Sequence, residues 1–218
     1  MTENTATTPH RVIVGLTGYA GAGKSTVAEY LVNGHGFTRV SFAAPLKKML
    51  RTLNPIIGNP PVFDTVGKYK PYFYLNDLFE LVERDGRMFD DDTPAETVIK
   101  EGSWGAEYRR LLQVLGTDCI RAVDEDFWVN AALKQMDDPN GRYVFDDVRF
   151  PNEAEVIKGL SPHGLWYVSR PGVHATNGHA SEQHAGKMDE TGWVENADNE
   201  FEFLHSQIDA ALSKVAAE

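Results

Sequence analysis

The feature that most constrains the fold is a strand, a glycine-rich turn and a helix in immediate succession. Residues 11–17, RVIVGLT, form a short apolar run rich in β-branched side chains, which is typical of a buried strand in a parallel sheet. Residues 25–33 carry Val27, Ala28 and Leu31 at helical spacing, which predicts a helix packed on that sheet. The chain is therefore expected to build helices and strands in layers around this first strand.

The turn between them, Gly18-Tyr19-Ala20-Gly21-Ala22-Gly23-Lys24-Ser25, matches the phosphate-binding P-loop pattern G-x-x-x-x-G-K-[ST]. Its glycines let successive backbone N–H groups point at phosphate oxygens, and the next helix turns the positive end of its dipole to the same anion. Lys24 is expected to reach the β- and γ-phosphates and to act in catalysis, while the Ser25 hydroxyl is expected to bind Mg²⁺. The residues predicted to bind ATP are Gly18, Ala20, Gly21, Ala22, Gly23, Lys24, Ser25 and Thr26.

Strands and helices continue to alternate along the chain. Strands are predicted at 38–42, 143–146, 164–169 and 193–195, and helices at 43–53, 107–115, 127–136, 152–160 and 201–215. This order predicts an α/β fold of the P-loop NTPase type, a three-layer sandwich around a central, mostly parallel sheet. Residues 1–10 are polar and threonine-rich, so we expect a disordered terminus there and a single domain over 11–218.

The segment 54–105 departs from this alternation. It is rich in aromatic residues, and residues 77–101 contain nine Asp or Glu against three Lys or Arg, a local net charge of −6. Short helices are predicted near 76–84 and 93–100. We interpret the segment as a helical insertion on the substrate side of the domain, although its charge could simply belong to a solvated face.

Two aspartates end the strand that begins at Tyr143. A P-loop enzyme needs a carboxylate that holds magnesium at the end of a neighbouring strand, and we favour Asp147 for this role, with Asp146 as the alternative. Arg149 follows shortly after, and Arg170 ends the next strand, so both are expected at the carboxyl edge of the sheet, where ligands bind. They are candidates for stabilising the charge that develops on a γ-phosphate, although each could also be an ordinary surface arginine.

Composition limits the possible partners and location. With 21 Lys and Arg against 32 Asp and Glu, the formal net charge is −11, and no basic block suggests binding along nucleic acid. No apolar run approaches the roughly 18 to 20 residues of a membrane helix, and residues 1–10 lack the pattern of a secretion signal. The single cysteine, Cys119, cannot form an internal disulfide. We therefore expect a cytoplasmic protein without a membrane partner.

Several further blocks narrow the type of enzyme. They are Ser41-Phe42-Ala43-Ala44-Pro45-Leu46-Lys47, Arg109-Arg110-Leu111-Leu112-Gln113-Val114-Leu115-Gly116-Thr117, Arg121, Asp126-Phe127-Trp128, Asp147-Val148-Arg149-Phe150-Pro151-Asn152-Glu153 and His179-Ala180-Ser181-Glu182. Together with the P-loop they resemble the deoxynucleoside monophosphate kinases of tailed bacteriophages, over most of residues 11–215 and weakest in the insertion.

The resemblance implies transfer of the γ-phosphoryl group of ATP, with Mg²⁺, to a deoxynucleoside monophosphate, in the host cytoplasm if the chain is of phage origin, and a homodimer is plausible for the family. The acceptor phosphate then needs cations of its own. Arg109 and Gln113 share a helix face and could hold a monophosphate and a base edge, or pack on the core. Trp128 could stack on a base, but an aromatic residue beside a helix start could equally be core. The predicted substrate-binding residues are Lys47, Arg109, Gln113, Arg121 and Trp128.

Two alternatives stay open. Another small-molecule kinase would also carry a P-loop, but dephospho-coenzyme A kinases tend to have an aspartate just after strand two, where this chain has Ser41-Phe42-Ala43. A regulatory module that binds a nucleoside triphosphate is the second, and the chain lacks the N-K-x-D block of a guanine-specific switch. In the kinase interpretation, the Gly/His-rich segment 170–192 forms a flap over ATP, with His179–Glu182 near the nucleotide.

Overall fold

The computed structural model describes residues 11–58, 62–63, 69–70, 72–85, 94–174, 183–197 and 200–216. The chain forms two compact units: a sheet unit of Met1–Ala43 and Trp128–Glu218, and a helical unit of Ala44–Phe127. The segment 54–105, predicted as an insertion, lies within the helical unit.

In chain order the elements are β1 (Val12–Thr17), α1 (Lys24–His35), β2 (Thr38–Val40), α2 (Ala44–Leu53), β3 (Ile56–Gly58), β4 (Val62–Phe63), β5 (Tyr69–Lys70), β6 (Phe73–Tyr74), α3 (Leu75–Asp85), α4 (Ala95–Glu101), α5 (Gly105–Gln113), a π-helix (Val114–Arg121), α6 (Phe127–Leu133), β7 (Arg142–Phe145), α7 (Pro151–Leu160), β8 (Leu165–Ser169), β9 (Gly192–Glu195) and α8 (Phe201–Val215).

Five strands of the sheet unit form one sheet in the order β2-β7-β1-β8-β9. Every neighbouring pair is parallel, so all five carboxyl ends lie at the same edge. The first strand, β1, is central, with β7 and β8 on either side of it. The loop that follows β1 therefore begins in the middle of that edge, where ligands bind in sheets of this kind.

Successive side chains of the strands feed two separate hydrophobic cores. Val14, Leu16 and Trp166 pack on one face with α1 and α8, whereas Ile13 and Phe145 pack on the other with α6 and α7. Strands buried on both faces explain the near-continuous apolar runs in the sequence. The predicted α/β sandwich of three layers around a parallel sheet is thereby confirmed.

The predicted strand at 38–42 is shorter in the structure and ends at Val40. The backbone N–H groups of Phe42 and Ala43 donate to the Asp147 carboxylate and so leave the sheet ladder. The predicted helix at 127–136 likewise ends at Leu133, because Gln135 and Met136 bond three residues back in a tighter turn.

The helical unit has a core of its own. Its buried residues are Leu50, Phe73, Leu75, Leu78, Phe79, Ile99 and Tyr108, supplied by α2, β6 and α3–α5. β3 pairs with β6 and β4 with β5, both antiparallel. Across the described parts of both units, no helix has the length and apolarity that crossing a membrane requires.

Candidate active site

The glycine-rich loop between β1 and α1 needs its glycines for backbone reasons. Gly18, Gly21 and Gly23 have φ of 140°, 81° and 93°, a region that favours glycine. A Cβ at Gly18 would overlap the backbone oxygen of Val168, and one at Gly23 would overlap the Asn196 side chain. The motif is therefore fixed by close packing on the ends of β8 and β9 as well as by its own conformation.

Lys24 begins α1 and folds back over the loop. Its Nζ donates to the carbonyl oxygens of Gly18, at 2.7 Å, and Tyr19, at 2.9 Å. In the described first turn of α1, no residue is acidic, and Gly23 supplies no side-chain cap. The ammonium group and the positive end of the helix thus lie at one end of the loop, an arrangement suited to an anion.

Asn196, which sequence reasoning missed, supports the loop from β9. It is 8% exposed, and its Nδ2 donates to the carbonyl oxygen of Ala22 at 3.3 Å, while its backbone N–H donates to the Ser169 carbonyl at 2.8 Å. This side chain joins the end of β9 to the loop. No sequence signal marks it, since the contact spans 174 positions.

Asp147, favoured from sequence as the magnesium ligand, is engaged by the turn after β2. Its carboxylate accepts from the Ser41 hydroxyl at 2.7 Å and from the backbone N–H groups of Phe42 and Ala43, both at 2.9 Å. Three donors therefore occupy its two oxygens. This carboxylate fixes the path of residues 41–43.

Asp146 has a different partner, Arg39 of β2. The Arg39 Nε donates to Oδ2 of Asp146 at 3.0 Å, and Nη2 donates to the same oxygen. Nη2 also lies 3.3 Å from the Ser25 Oγ, so one guanidinium contacts both a P-loop hydroxyl and the strand-end carboxylate. The hydrogen bond to Asp146 raises the pKa of Arg39 above its ordinary value, which keeps it charged. No sequence signal marks Arg39, since its contact with Asp146 spans 107 positions.

The two arginines predicted to act on the γ-phosphate follow β7 and β8. The side chain of Arg149 is exposed, and its backbone N–H donates at 2.7 Å to the buried carboxylate of Glu153, which also accepts from Phe150 at 3.1 Å. Arg170 comes directly after β8 and is half-buried. Both positions lie at the carboxyl edge, as expected.

The structure places the other substrate candidates as follows. Lys47 pairs with Glu96 at 3.1 Å, Arg109 donates to the Lys100 carbonyl at 2.8 Å, and Arg121 donates to the Glu125 carbonyl at 3.1 Å, all within the helical unit. Trp128 belongs to the sheet unit and is 3% exposed. Trp128 is therefore a core residue, and its ring has no open face on which a base could stack in the predicted way. His179–Glu182 lie outside the described residues.

A π-helix continues α5 where a single α-helix was predicted to end at Leu115. The four residues from Arg109 to Gln113 make slightly more than one turn of an α-helix, which has about 3.6 residues per turn. The eight residues from Gln113 to Arg121 make slightly less than two turns of the wider π-helix. The two segments therefore rotate the side-chain direction in opposite senses. Arg109, Gln113 and Arg121 therefore stay closer to one line than a continuous α-helix would allow.

With this geometry in place, the family model described as deoxynucleotide monophosphate kinase matches residues 76–208. The chain belongs to that family. A provisionally named deoxynucleotide monophosphate kinase of Acanthamoeba polyphaga mimivirus is 30% identical over 187 residues, which cover 78% of this chain and 80% of that protein. The deoxynucleoside-5′-monophosphate kinase of Escherichia phage T5 is 28% identical over 183 residues, 67% of this chain and 72% of that one. The predicted family and enzyme class, a phosphotransferase, are confirmed.

Among solved structures, TT1252 from Thermus thermophilus aligns with a TM-score of 0.46 and 17% identity, covering 94% of this chain and 98% of that chain.

Replacing Gly18 tests the packing of the loop. Gly18→Ala should lower the free energy of unfolding by at least about 2 kcal/mol, because its φ is disfavoured for alanine and its Cβ meets backbone. Gly159→Ala is the matched control, since that helix position has open space and alanine should stabilise it by about 0.5–1 kcal/mol. Urea denaturation measures both, and equal effects would contradict a packed loop.

Glu96 gives the helical unit a pH dependence. Burial alone would raise the pKa of Glu96, but hydrogen bonds and charge from Lys100, at 2.7 Å, and Lys47 lower it below its ordinary value. The ion pairs should therefore stabilise the fold fully above the unfolded pKa of about 4.3, and this contribution is lost as pH falls through the lower folded value. Urea denaturation from pH 7 downwards should show the wild type losing its advantage over Glu96→Gln; a constant difference would refute this.

Proposed function

We propose that the protein transfers the γ-phosphoryl group of ATP to a deoxynucleoside 5′-monophosphate, forming the diphosphate and ADP. The observation that carries the proposal is the packed glycine-rich loop with Lys24 across it, in a chain of the deoxynucleotide monophosphate kinase family. A glycine-rich loop at a helix N-terminus and a lysine suit the phosphates of a nucleoside triphosphate.

The donor chemistry around Ser25 fits Mg²⁺. A hydroxyl and a carboxylate are hard oxygen ligands, which this ion prefers. Asp146 shares a partner with Ser25, whereas three donors occupy Asp147, so the contacts favour Asp146 beside Ser25 in the metal role and give Asp147 the task of fixing the turn. When bound, the ion neutralises charge on the β- and γ-phosphates.

The remaining cations are assigned to the phosphoryl group that is transferred. Lys24 and the arginines that follow β7 and β8, Arg149 and Arg170, are available to stabilise the equatorial oxygens as charge redistributes in the transition state. The acceptor is already an anion at neutral pH, so the chemistry depends on positioning and charge and needs no nucleophilic side chain. Glu153 holds the backbone of Arg149 and so positions the start of its side chain.

The acceptor is assigned to residues of the helical unit. Arg109, Gln113 and Arg121 lie along α5 and the π-helix, and Lys47 on α2 adds a fourth polar group. Arginine suits a monophosphate because its planar fork can donate two hydrogen bonds, and an amide can bond a base edge. Trp128 is left out of this set.

The same relatives support a proposal for the setting of the reaction. Two viral proteins are similar to this chain, which supports a role in deoxynucleotide metabolism during infection and a place in the host cytoplasm. Free nucleotides, and not nucleic acid, are the proposed ligands. A homodimer remains a prediction from the family resemblance.

A product assay tests the reaction. With Mg²⁺ and ATP, the wild type should convert at least one of dGMP, dTMP, dCMP and dAMP to its diphosphate, and Lys24→Ala should lose about 100-fold or more in rate, as removal of a transition-state donor does. Chromatography would follow ADP and the new diphosphate. Parallel reactions with ribonucleotides and dephospho-coenzyme A set the acceptor range, and phosphorylation of the latter alone would refute the proposal.

Gln113 tests the acceptor site. Gln113→Ala should raise KM for the deoxynucleoside monophosphate by roughly fivefold, the loss of about one hydrogen bond, with KM for ATP unchanged. Arg110→Gln is the control, because Arg110 is exposed and already paired with Glu107 at 2.7 Å. An unchanged acceptor KM would remove Gln113 from the site.

A further inference from the structure

Arg39 lies between two groups that the proposed function assigns to the metal. Its Nη2 is 3.3 Å from the Ser25 Oγ, and the same nitrogen and Nε bond Oδ2 of Asp146. Only 14% of the Asp146 side chain is exposed, so most of its surface contacts the protein, including this arginine. The oxygens that a divalent cation would use are those that the guanidinium now contacts.

The contacts differ from those of an ordinary surface ion pair. A pair such as Arg110 with Glu107 joins two side chains one turn apart on a single helix. Arg39 instead connects β2, the end of β7 and the first turn of α1, since its partners come from separate elements. It therefore fixes the positions of Ser25 and Asp146 relative to each other.

Two further carboxylates also stabilise the charge of Arg39. Glu29 lies one turn after Ser25 on α1, and its charge acts on Arg39 together with those of Asp146 and Asp147. The Arg39 side chain is 41% exposed, so nothing buried has to move when it turns away. Part of the stabilisation of the guanidinium comes from charges other than that of Asp146.

We propose that Arg39 competes with the divalent metal for Ser25 and Asp146, and so sets the affinity with which the nucleotide-bound protein takes up Mg²⁺. This inference rests on the proposed function. Before the metal arrives, Arg39 holds the two oxygen ligands in place; when it arrives, the guanidinium must give up both, because like charges at this separation repel. The metal then gains organised ligands at the cost of displacing one partly exposed ion pair.

Mn²⁺ binding to the ADP complex tests this directly. Electron paramagnetic resonance of free Mn²⁺, with the protein in excess so that nearly all of the ADP is bound, gives the dissociation constant without turnover. Arg39→Gln should tighten Mn²⁺ roughly fivefold, because a nearby positive charge and a competing donor are removed. Arg39→Lys keeps the charge and should stay within about twofold of the wild type. Arg110→Gln should leave the constant unchanged.

A second comparison identifies the shared ligand. Arg39→Gln/Asp146→Asn should bind Mn²⁺ no more tightly than Asp146→Asn alone, since the carboxylate that the arginine releases is gone. Arg39→Met, which keeps the apolar stem, replaces Arg39→Gln if the latter does not fold, and it should show the same tightening. Thermal unfolding of each variant verifies that it is folded.

The outcomes separate the inference from the function. ADP binding with Mg²⁺ is measured first: a wild type that binds no ADP overturns the proposed function, and this inference with it. If ADP binds but uncharged replacements of Arg39 leave Mn²⁺ affinity unchanged or weaken it, Arg39 is a structural or phosphate-facing residue, and the competition is refuted while the kinase proposal stands.

Discussion

The candidate site depends on the close approach of one loop to the ends of two strands. Gly18 leaves no space for a side chain against Val168, and Gly23 leaves none against Asn196, whose amide also bonds the loop at Ala22. The strand ends therefore constrain the conformation of the loop. A loop that is already shaped loses little entropy when it binds phosphate, so the contacts that follow contribute almost fully to affinity and to catalysis.

Sequence predicted what is local and periodic. The strand–loop–helix at 11–33, the alternation that followed and the bounds of α8 could all be derived, because spacing and glycine content act over a few residues. Arg39, Asn196 and Glu153 could not be found this way. Each acts through a contact that depends on which strands become neighbours, and the strand order β2-β7-β1-β8-β9 is a property of the whole sheet.

The choice between adjacent aspartates illustrates the same limit. Asp146 and Asp147 are chemically identical and follow the same strand, so the preference for Asp147 as the metal ligand could not take the partners of either residue into account. In the structure, one meets a hydroxyl and two N–H groups of the turn after β2, and the other meets Arg39. The π-helix after α5 was equally hidden, because residues that favour an α-helix also permit the wider turn.

An acidic chain can bind polyanionic ligands when its cations are already placed. A net charge of −11 disfavours phosphates at a distance, but screening limits that repulsion to about 8–10 Å. Within that range, loop N–H groups and paired cations decide the outcome. Lys47 is held by Glu96 in a partly exposed pair of the kind worth about 0–1 kcal/mol, so exchanging that carboxylate for another anion costs little.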